Sequence, residues 1–312
     1  MFIQFLKYII KEFLAFIVRL FGALYLLKFL CRKQEVYFVF NYHNFSKFNN
    51  YKIIRGDILE TGFSKQFEKQ LKFLKKNFGF KYPDEFFKQS SKGISILITF
   101  DDGYKDNHDI ALPILKKHNA KAIFFVVSKF INSNDFLLHD KVRYLVQNKL
   151  LKENYADLPL QMYKGRNDYS EKMIAKINQL FKYKKLPRRM MNYNEINEII
   201  NSGFIIGNHS HSHRGLSFLD YDSQEEEILK CQNVLSKFGI INTIAYPNGL
   251  SNTQTYLILK ELGIEYGFSI IPGWNNKNQD VLKIKRIGLN ASDSLNVVLL
   301  KMLANYFNIK WI

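Results

Sequence analysis

ISILITFDDGYKDNHDIALPILKKHNAKAIFFVV, residues 94–127, decides the fold. It opens on an unbroken apolar run, breaks at Asp101-Asp102-Gly103, continues with helical spacing, and returns to a second apolar run. Strands without polar alternation are buried on both faces, and a strand–helix–strand linkage makes its two strands parallel. The same alternation continues in both directions. VYFVFNY (36–42) reads as a strand and QFEKQLKFLKKNF (66–78) as a helix, while NEINEIINSG (194–203) is a helix stopped by Gly203. FIIG (204–207), INTIAY (241–246) and YGFSI (266–270) are short strands, separated by helices around 222–237 and 253–262, and VLKIKRIGL (281–289) closes the series. The expectation is an α/β fold with a mostly parallel sheet, open or closed into a barrel. Charged, Tyr-rich sequence from about 129 to 190 breaks the rhythm and reads as an insertion on the barrel rim.

With 312 residues, 47% of them hydrophobic and 15% aromatic, the chain is globular. Its net charge of +17 would suit a polyanion, but the lysines are scattered in a composition that looks like AT-rich coding bias. There is no basic helix with interleaved aromatics and no zinc-finger spacing, so no nucleic-acid partner is expected. Cys31 and Cys231 stand far apart and read as free thiols.

The first 33 residues, MFIQFLKYIIKEFLAFIVRLFGALYLLKFLCRK, differ from the rest. Arg19 and Lys28 interrupt what would be a minimal span, and no small-residue cleavage pattern follows the apolar core. An in-plane amphipathic membrane helix fits best; a poor transmembrane anchor and a core helix of the domain are the alternatives. Residues 34–312 then form the folded domain. Arg32 and Lys33 on its side of the apolar run favour the cytoplasmic face of the inner membrane, with Lys7 and Lys11 arguing for the opposite face.

Polar clusters sit at the carboxyl ends of the strands: Tyr42-His43, Asp101-Asp102, His209-Ser210-His211-Ser212-His213, and Tyr246-Pro247-Asn248-Gly249. In a parallel barrel these ends share one face, so the clusters converge. Asp101-Asp102-Gly103 alone reads equally as a turn with an Asx bond. Imidazoles beside a carboxylate suit zinc or a similar divalent ion. Spacing does not select a pair among His209, His211 and His213, since an extended segment aligns neighbours two apart and a helical turn those four apart. No histidine follows 213, so a further ligand must come from upstream, best from the 101–102 pair.

TFDDG (99–103) with GNHSHSH (207–213) resembles the paired motifs T-F-D-D-G and H-[ST]-x-x-H of the polysaccharide deacetylases, the carbohydrate esterase group with NodB homology, over roughly residues 36–290. The resemblance implies a distorted (β/α)7-type barrel and a hydrolase that removes N-acetyl groups from sugars of a polysaccharide or lipid-linked saccharide. It implies Asp102, His209 and His213 as ligands of a divalent metal, most simply Zn2+, with Asp101 as general base and His211 as a neighbour. Tyr246 and Asn248 would serve the substrate and oxyanion. The family's usual Arg before that turn is replaced by Ala245, which looks like the poly-N-acetylglucosamine deacetylase branch, and Arg286 is the candidate to brace the base. The histidine acid near the carboxyl end is absent; in that branch a Tyr-His pair ending the first strand does its work, which Tyr42-His43 matches. A hydrogen-bonded structural histidine is the plainer reading of His43. Trp274 is either a substrate wall or a packed residue. The rival functions are an O-acetyl esterase on the same scaffold and a membrane-bound saccharide-binding pseudoenzyme.

Overall fold

The computed structural model describes residues 22–45, 64–152, 170–182 and 186–309, together with positions 12, 16, 17 and 20. In chain order its elements are α1 (Ala23–Cys31), β1 (Glu35–Tyr42), α2 (Ser64–Asn77), β2 (Gly79–Phe80), α3 (Pro83–Phe87), β3 (Gly93–Phe100), α4 (Leu112–His118), β4 (Ala122–Val126), α5 (Leu138–Gln147), α6 (Ser170–Phe181), α7 (Tyr193–Asn201), β5 (Ile205–Asn208), α8 (Tyr221–Leu235), β6 (Thr243–Ala245), α9 (Thr253–Glu261), β7 (Tyr266–Phe268), β8 (Ile287–Gly288) and α10 (Leu295–Tyr306). The strands lie in the order β7-β6-β5-β4-β3-β1-β8, every paired neighbour parallel, with β2 added alongside β3.

The longest ladder, β1 with β3, runs from Glu35–Gly93 to Tyr42–Phe100 and forms the spine. Side chains alternate across it. Val36, Phe38, Phe40, Ile96 and Ile98 join the core between sheet and helices, whereas Tyr37, Val39 and Leu97 join Ile123, Phe125 and Phe268 inside the curl. Both faces are therefore apolar, as the unbroken runs require. Helix α2 turns Phe67, Leu71 and Leu74 inward at helical spacing and its lysines outward. Helix α7 starts at a capping box in which Asn192 and Glu195 satisfy each other's backbone N–H groups.

The expected strand 281–289 is the main departure. Only Ile287–Gly288 joins a ladder, on β1, and Ile284 makes a single bridge to Phe268 of β7. The side chain of Asn275 exchanges hydrogen bonds with the backbone of Lys285 and so occupies the ladder position a strand would need. Gly267 and Ser269 donate to the carbonyls of Val281 and Ile284, while β8 pairs with β1, so this segment spans the gap between the two sheet edges and closes a distorted barrel.

The described parts of the 129–190 insertion include two helices, α5 and α6. Helices α5 and α6 pack together around their own cluster of Phe136, Val142, Leu145, Ile177 and Phe181. The chain returns to the barrel where Tyr104 bridges Met190. Helix α1 buries Ala23, Leu27 and Cys31 in the main core and leaves Tyr25 (80%) and Phe29 (59%) exposed, so a boundary drawn at residue 33 cuts a packed contact. The rest of the expected membrane helix lies largely outside the described residues. Among those described, no helix is long and apolar enough to cross a membrane. Both cysteines are free and buried, Cys31 on α1 and Cys231 on α8.

Candidate active site

Because the strands are parallel, the ends of β1, β3, β5 and β6 open on one side, and the polar residues following them line a cleft of about 250 Å3. Its walls include His43, Asp101, Asp102, His209, His213 and Asn248, so all four strand-end clusters contribute predicted side chains there. Backbone geometry at this edge is unusual. Asp102, Ser210, His213 and Asn248 all have positive φ, a conformation L-residues enter at a cost and keep where the surroundings enforce it. Gly207 is needed at the end of β5 because a Cβ there would sit 2.4 Å from the ring of Phe125.

Asp101 is fully enclosed. Arg286 (2% exposed) grips it with both terminal nitrogens, Nη1 to Oδ1 at 2.7 Å and Nη2 to Oδ2 at 2.8 Å, and Asn41 Nδ2 donates to Oδ2 at 3.0 Å. Arg286 is itself anchored through Nε to the carbonyl of Ser269. Burial pushes the Asp101 carboxyl up, but the Arg286 and His209 charges outweigh it and hold the group below its ordinary value. The arginine missing before Tyr246 in sequence is thus supplied in space from the closing segment.

Asp102 faces the two histidines. Its Oδ1 lies 3.5 Å from His209 Nε2 and 3.2 Å from His213 Nε2, and these three atoms fall within 4.8 Å of one another. Burial would raise the Asp102 carboxyl, yet the facing imidazoles hold it well below the carboxylate range. His209 Nδ1 sits 2.8 Å from the carbonyl of Ala245 and donates its proton there, which turns Nε2 toward Asp102. One carboxylate oxygen and two imidazole Nε2 atoms this close together make a donor set that fits a divalent metal. His211 stands apart: its ring bonds Ser128 Oγ at 2.9 Å and its N–H donates to the carbonyl of Glu227.

His43 is exposed on the cleft wall and its carbonyl accepts from Asn107 Nδ2. The Asn248 amide nitrogen is buried at the cleft with no hydrogen-bond partner, a donor awaiting an acceptor. Tyr246 corrects the sequence expectation. Its hydroxyl donates to the carbonyl of Leu282 at 2.6 Å and its backbone N–H to Phe268, so neither faces the cleft. The aromatic ring fits over Gly267, where a Cβ would lie 2.0 Å from the Tyr246 oxygen, and this packing consumes the side chain. Trp274 packs on the main core and on Tyr306, away from the cleft.

Part of the cleft wall comes from the insertion, and sequence reasoning missed it. His139 and Arg143 of α5 line the cleft beside Tyr104, which follows β3. Tyr104 Oη lies 2.8 Å from His139 Nε2 and donates to Asp140 Oδ2 at 3.0 Å; His139 Nε2 is 4.0 Å from Asp102 Oδ2. Burial pushes His139 down to about 4, leaving a neutral imidazole beside the metal-type cluster. The signal available was a His-Asp pair opening an amphipathic helix with an arginine one turn later.

The polysaccharide deacetylase profile matches residues 88–267, which spans both motifs and the Asp102, His209 and His213 cluster. This chain belongs to the polysaccharide deacetylase family. The poly-β-1,6-N-acetyl-D-glucosamine N-deacetylase of Staphylococcus aureus is 26% identical over 238 residues, covering 75% of this chain and 66% of that protein. Bacillus subtilis YxkH is 22% identical over 201 residues, 64% of this chain and 53% of that one, so the chain spans about half to two thirds of the length of these curated relatives. Two solved structures share the fold at 18% identity: the Streptococcus pyogenes deacetylase PplD (TM-score 0.60, 86% of this chain and 99% of that one) and IcaB from Ammonifex degensii (TM-score 0.59, 86% and 97%). These likenesses match the expected polysaccharide deacetylase barrel.

Proposed function

We propose that this polysaccharide deacetylase is a metal-dependent hydrolase that removes the acetyl group from an N-acetylated sugar of a polysaccharide or lipid-linked saccharide. The observation that carries the reading is a carboxylate kept ionised by Arg286, Asp101, beside a separate Asp-His-His donor set. Asp102, His209 and His213 would hold a divalent ion such as zinc, which would supply Lewis acidity for the acetamide carbonyl. Asp101 takes the proton of the attacking water, and Arg286 and Asn41 fix its orientation. The Asn248 amide N–H donates to a substrate oxygen, and His43 returns a proton to the departing amine nitrogen. The binder reading rested on the absent arginine, and Arg286 removes that motive. The cleft falls below the usual ~300–1,000 Å3 of small-molecule pockets, which suits one sugar ring with the rest of a chain outside. Acetate release from poly-β-1,6-N-acetylglucosamine oligosaccharides by the metal-loaded protein tests the reading. Release from O-acetylated but not N-acetylated glycans would replace it by the esterase reading.

We also infer that the protein works at a membrane surface, on the cytoplasmic face of the inner membrane. The support is the outer face of α1, where Tyr25, Leu26 and Phe29 are exposed with Lys28 and Arg32 among them, the Arg32 guanidinium lying over the Phe29 ring. Apolar side chains framed by cations suit an anionic headgroup layer. Flotation with phosphatidylglycerol vesicles should carry the full chain, and Tyr25→Ser with Phe29→Ser should reduce it; equal flotation of both would remove this support.

A further inference from the structure

His209 and His213 stand at the two ends of a short turn that needs support from outside. Ser210 and His213 both take left-handed φ, 61° and 65°, which L-residues keep only where the surroundings enforce it. Within the turn, Asn208 Oδ1 accepts from Ser210 N–H and Ser210 Oγ from His213 N–H. The segment after β4 supports one flank: Ser128 N–H donates to the Ser210 carbonyl and Lys129 N–H to that of His211. Helix α8 supports the other, chiefly through Glu227.

Glu227 meets the turn at three atoms. Its main-chain carbonyl accepts from His211 N–H at 2.9 Å, its Oε2 from Ser212 N–H at 2.8 Å, and its Oε1 from the Ser212 hydroxyl at 2.5 Å. The next carbonyl of α8, that of Ile228, receives Asn208 Nδ2 at 2.9 Å. Glu227 is 8% exposed, and among the described residues its carboxylate is met by Ser212 rather than by a cation. Burying a carboxylate is costly, and an apolar side chain would pack α8 on the barrel without that cost. What the carboxylate adds is a two-point grip on the residue immediately before His213.

We propose that Glu227 is a positioning residue of the metal site: its grip on Ser212 fixes the left-handed turn at His213 and so sets the bite between His209 and His213. It is not a ligand and acts through Ser212, while the Ala245 carbonyl orients His209 from the other side. The inference rests on the metal-dependent reading of the cleft and adds to it a residue on a helix outside both sequence motifs.

The test uses full-length protein stripped of metal, titrated with Zn2+ against a chelating dye and with Co2+, whose visible bands report ligand geometry. Glu227→Ala should weaken Zn2+ binding by about 10–100-fold, the usual worth of a group that orients a metal ligand, and should alter the Co2+ bands. Glu227→Gln should recover most of the affinity. Its amide oxygen can accept from Ser212 N–H, and the Ser212 hydroxyl, which accepts as well as donates, can take the amide N–H. A Gln variant as weak as the alanine one would mean that charge, not the hold on Ser212, acts on the ion, and that overturns the positioning role. Leu235→Ala empties a buried site on the same helix and should lower Tm while keeping wild-type affinity and bands. Ser212→Ala removes only the hydroxyl arm, leaves α8 intact, and should weaken Zn2+ less than Glu227→Ala. The proposal is overturned if Glu227→Ala, or Ser212→Ala should the former not fold, binds Zn2+ as tightly as wild type, or if Leu235→Ala loses affinity to the same degree. A wild type that takes up neither ion overturns the metal-dependent reading and the proposal together; a wild type that binds, with Glu227→Ala binding equally, overturns the proposal alone.

Discussion

The two walls of the cleft are built differently. On one side, His43, Asp101, Asp102, His209 and Asn248 follow directly on strands of one parallel sheet, so their positions are set by backbone ladders and by buried bonds such as Arg286–Asp101 and His209–Ala245. On the other, His139 and Arg143 ride on a helix pair with its own small apolar cluster, joined to the barrel through Tyr104–Met190 and the bond from Met191 N–H to the Gly103 carbonyl. A ladder fixes several residues to a fraction of an ångström at once, whereas a satellite helix can vary without disturbing it. The proposed bond-breaking chemistry lies on the first wall, and the second is built so that it can vary without disturbing it.

Perturbing each wall should therefore give effects of different kinds. The largest is expected from His209→Ala or His213→Ala, which should lose bound metal and all acetate release, while His211→Ala keeps both; metal analysis of the purified variants decides. Asp101→Asn should retain metal and lose about 10²–10⁴ in rate, the usual worth of a positioned proton acceptor. Metal loss in Asp101→Asn with retention in Asp102→Asn would exchange their roles.

Arg286→Gln strips a buried carboxylate of its partner and should cost about 3–5 kcal/mol in denaturant unfolding. Its pH signature follows from the sign of the shift. Asp101 is held below its unfolded value, so its contribution is present above the unfolded carboxylate range and is lost as pH falls through the folded pKa. Without Arg286 the acid-unfolding midpoint should move to higher pH. From the second wall, His139→Gln should lower the rate by about tenfold or less and keep the metal, since His139 lies outside the Asp-His-His set. Loss of metal in that variant would break the division between the walls.

The smallest effect is stabilising. Asp106 is raised to about 7 by burial, so the folded state binds the extra proton between the unfolded carboxylate range and pH 7, and stability declines as pH rises through that window. Asp106→Asn keeps an acceptor for the Phe45 N–H and should add about 1 kcal/mol above pH 7, read as a higher Tm at pH 8.

The first wall was legible in sequence because side-chain type and strand end coincide in TFDDG and GNHSHSH. Arg286 could be named only as a candidate, since its partner lies 185 positions away and nothing local tells a buried arginine from a surface one. His139 left no trace beyond a polar helix start: its bond to Tyr104 spans 35 positions and follows no period. The segment 281–289 misled for a different reason. Its apolar alternation is real, but the Asn275 side chain takes the backbone partners of Lys285 that a strand would use. At the N-terminus, apolarity was visible but not its apportionment, because α1 is apolar on the face it buries and on the face it shows.

The two thiols turn that last feature into a clock. Burial pushes both Cys31 and Cys231 up to about 11, so at neutral pH almost no thiolate forms and alkylation waits for the structure to open. They sit in separate layers: Cys31 is sealed by the docking of α1, and Cys231 by α8 packed on β4, its sulfur 3.5 Å from the Val126 carbonyl. The order in which they react reports the order in which those layers part. Release of α1 on its own would expose Cys31 while Cys231 stays silent, and a single shared rate would mean that the helix leaves only when the barrel does.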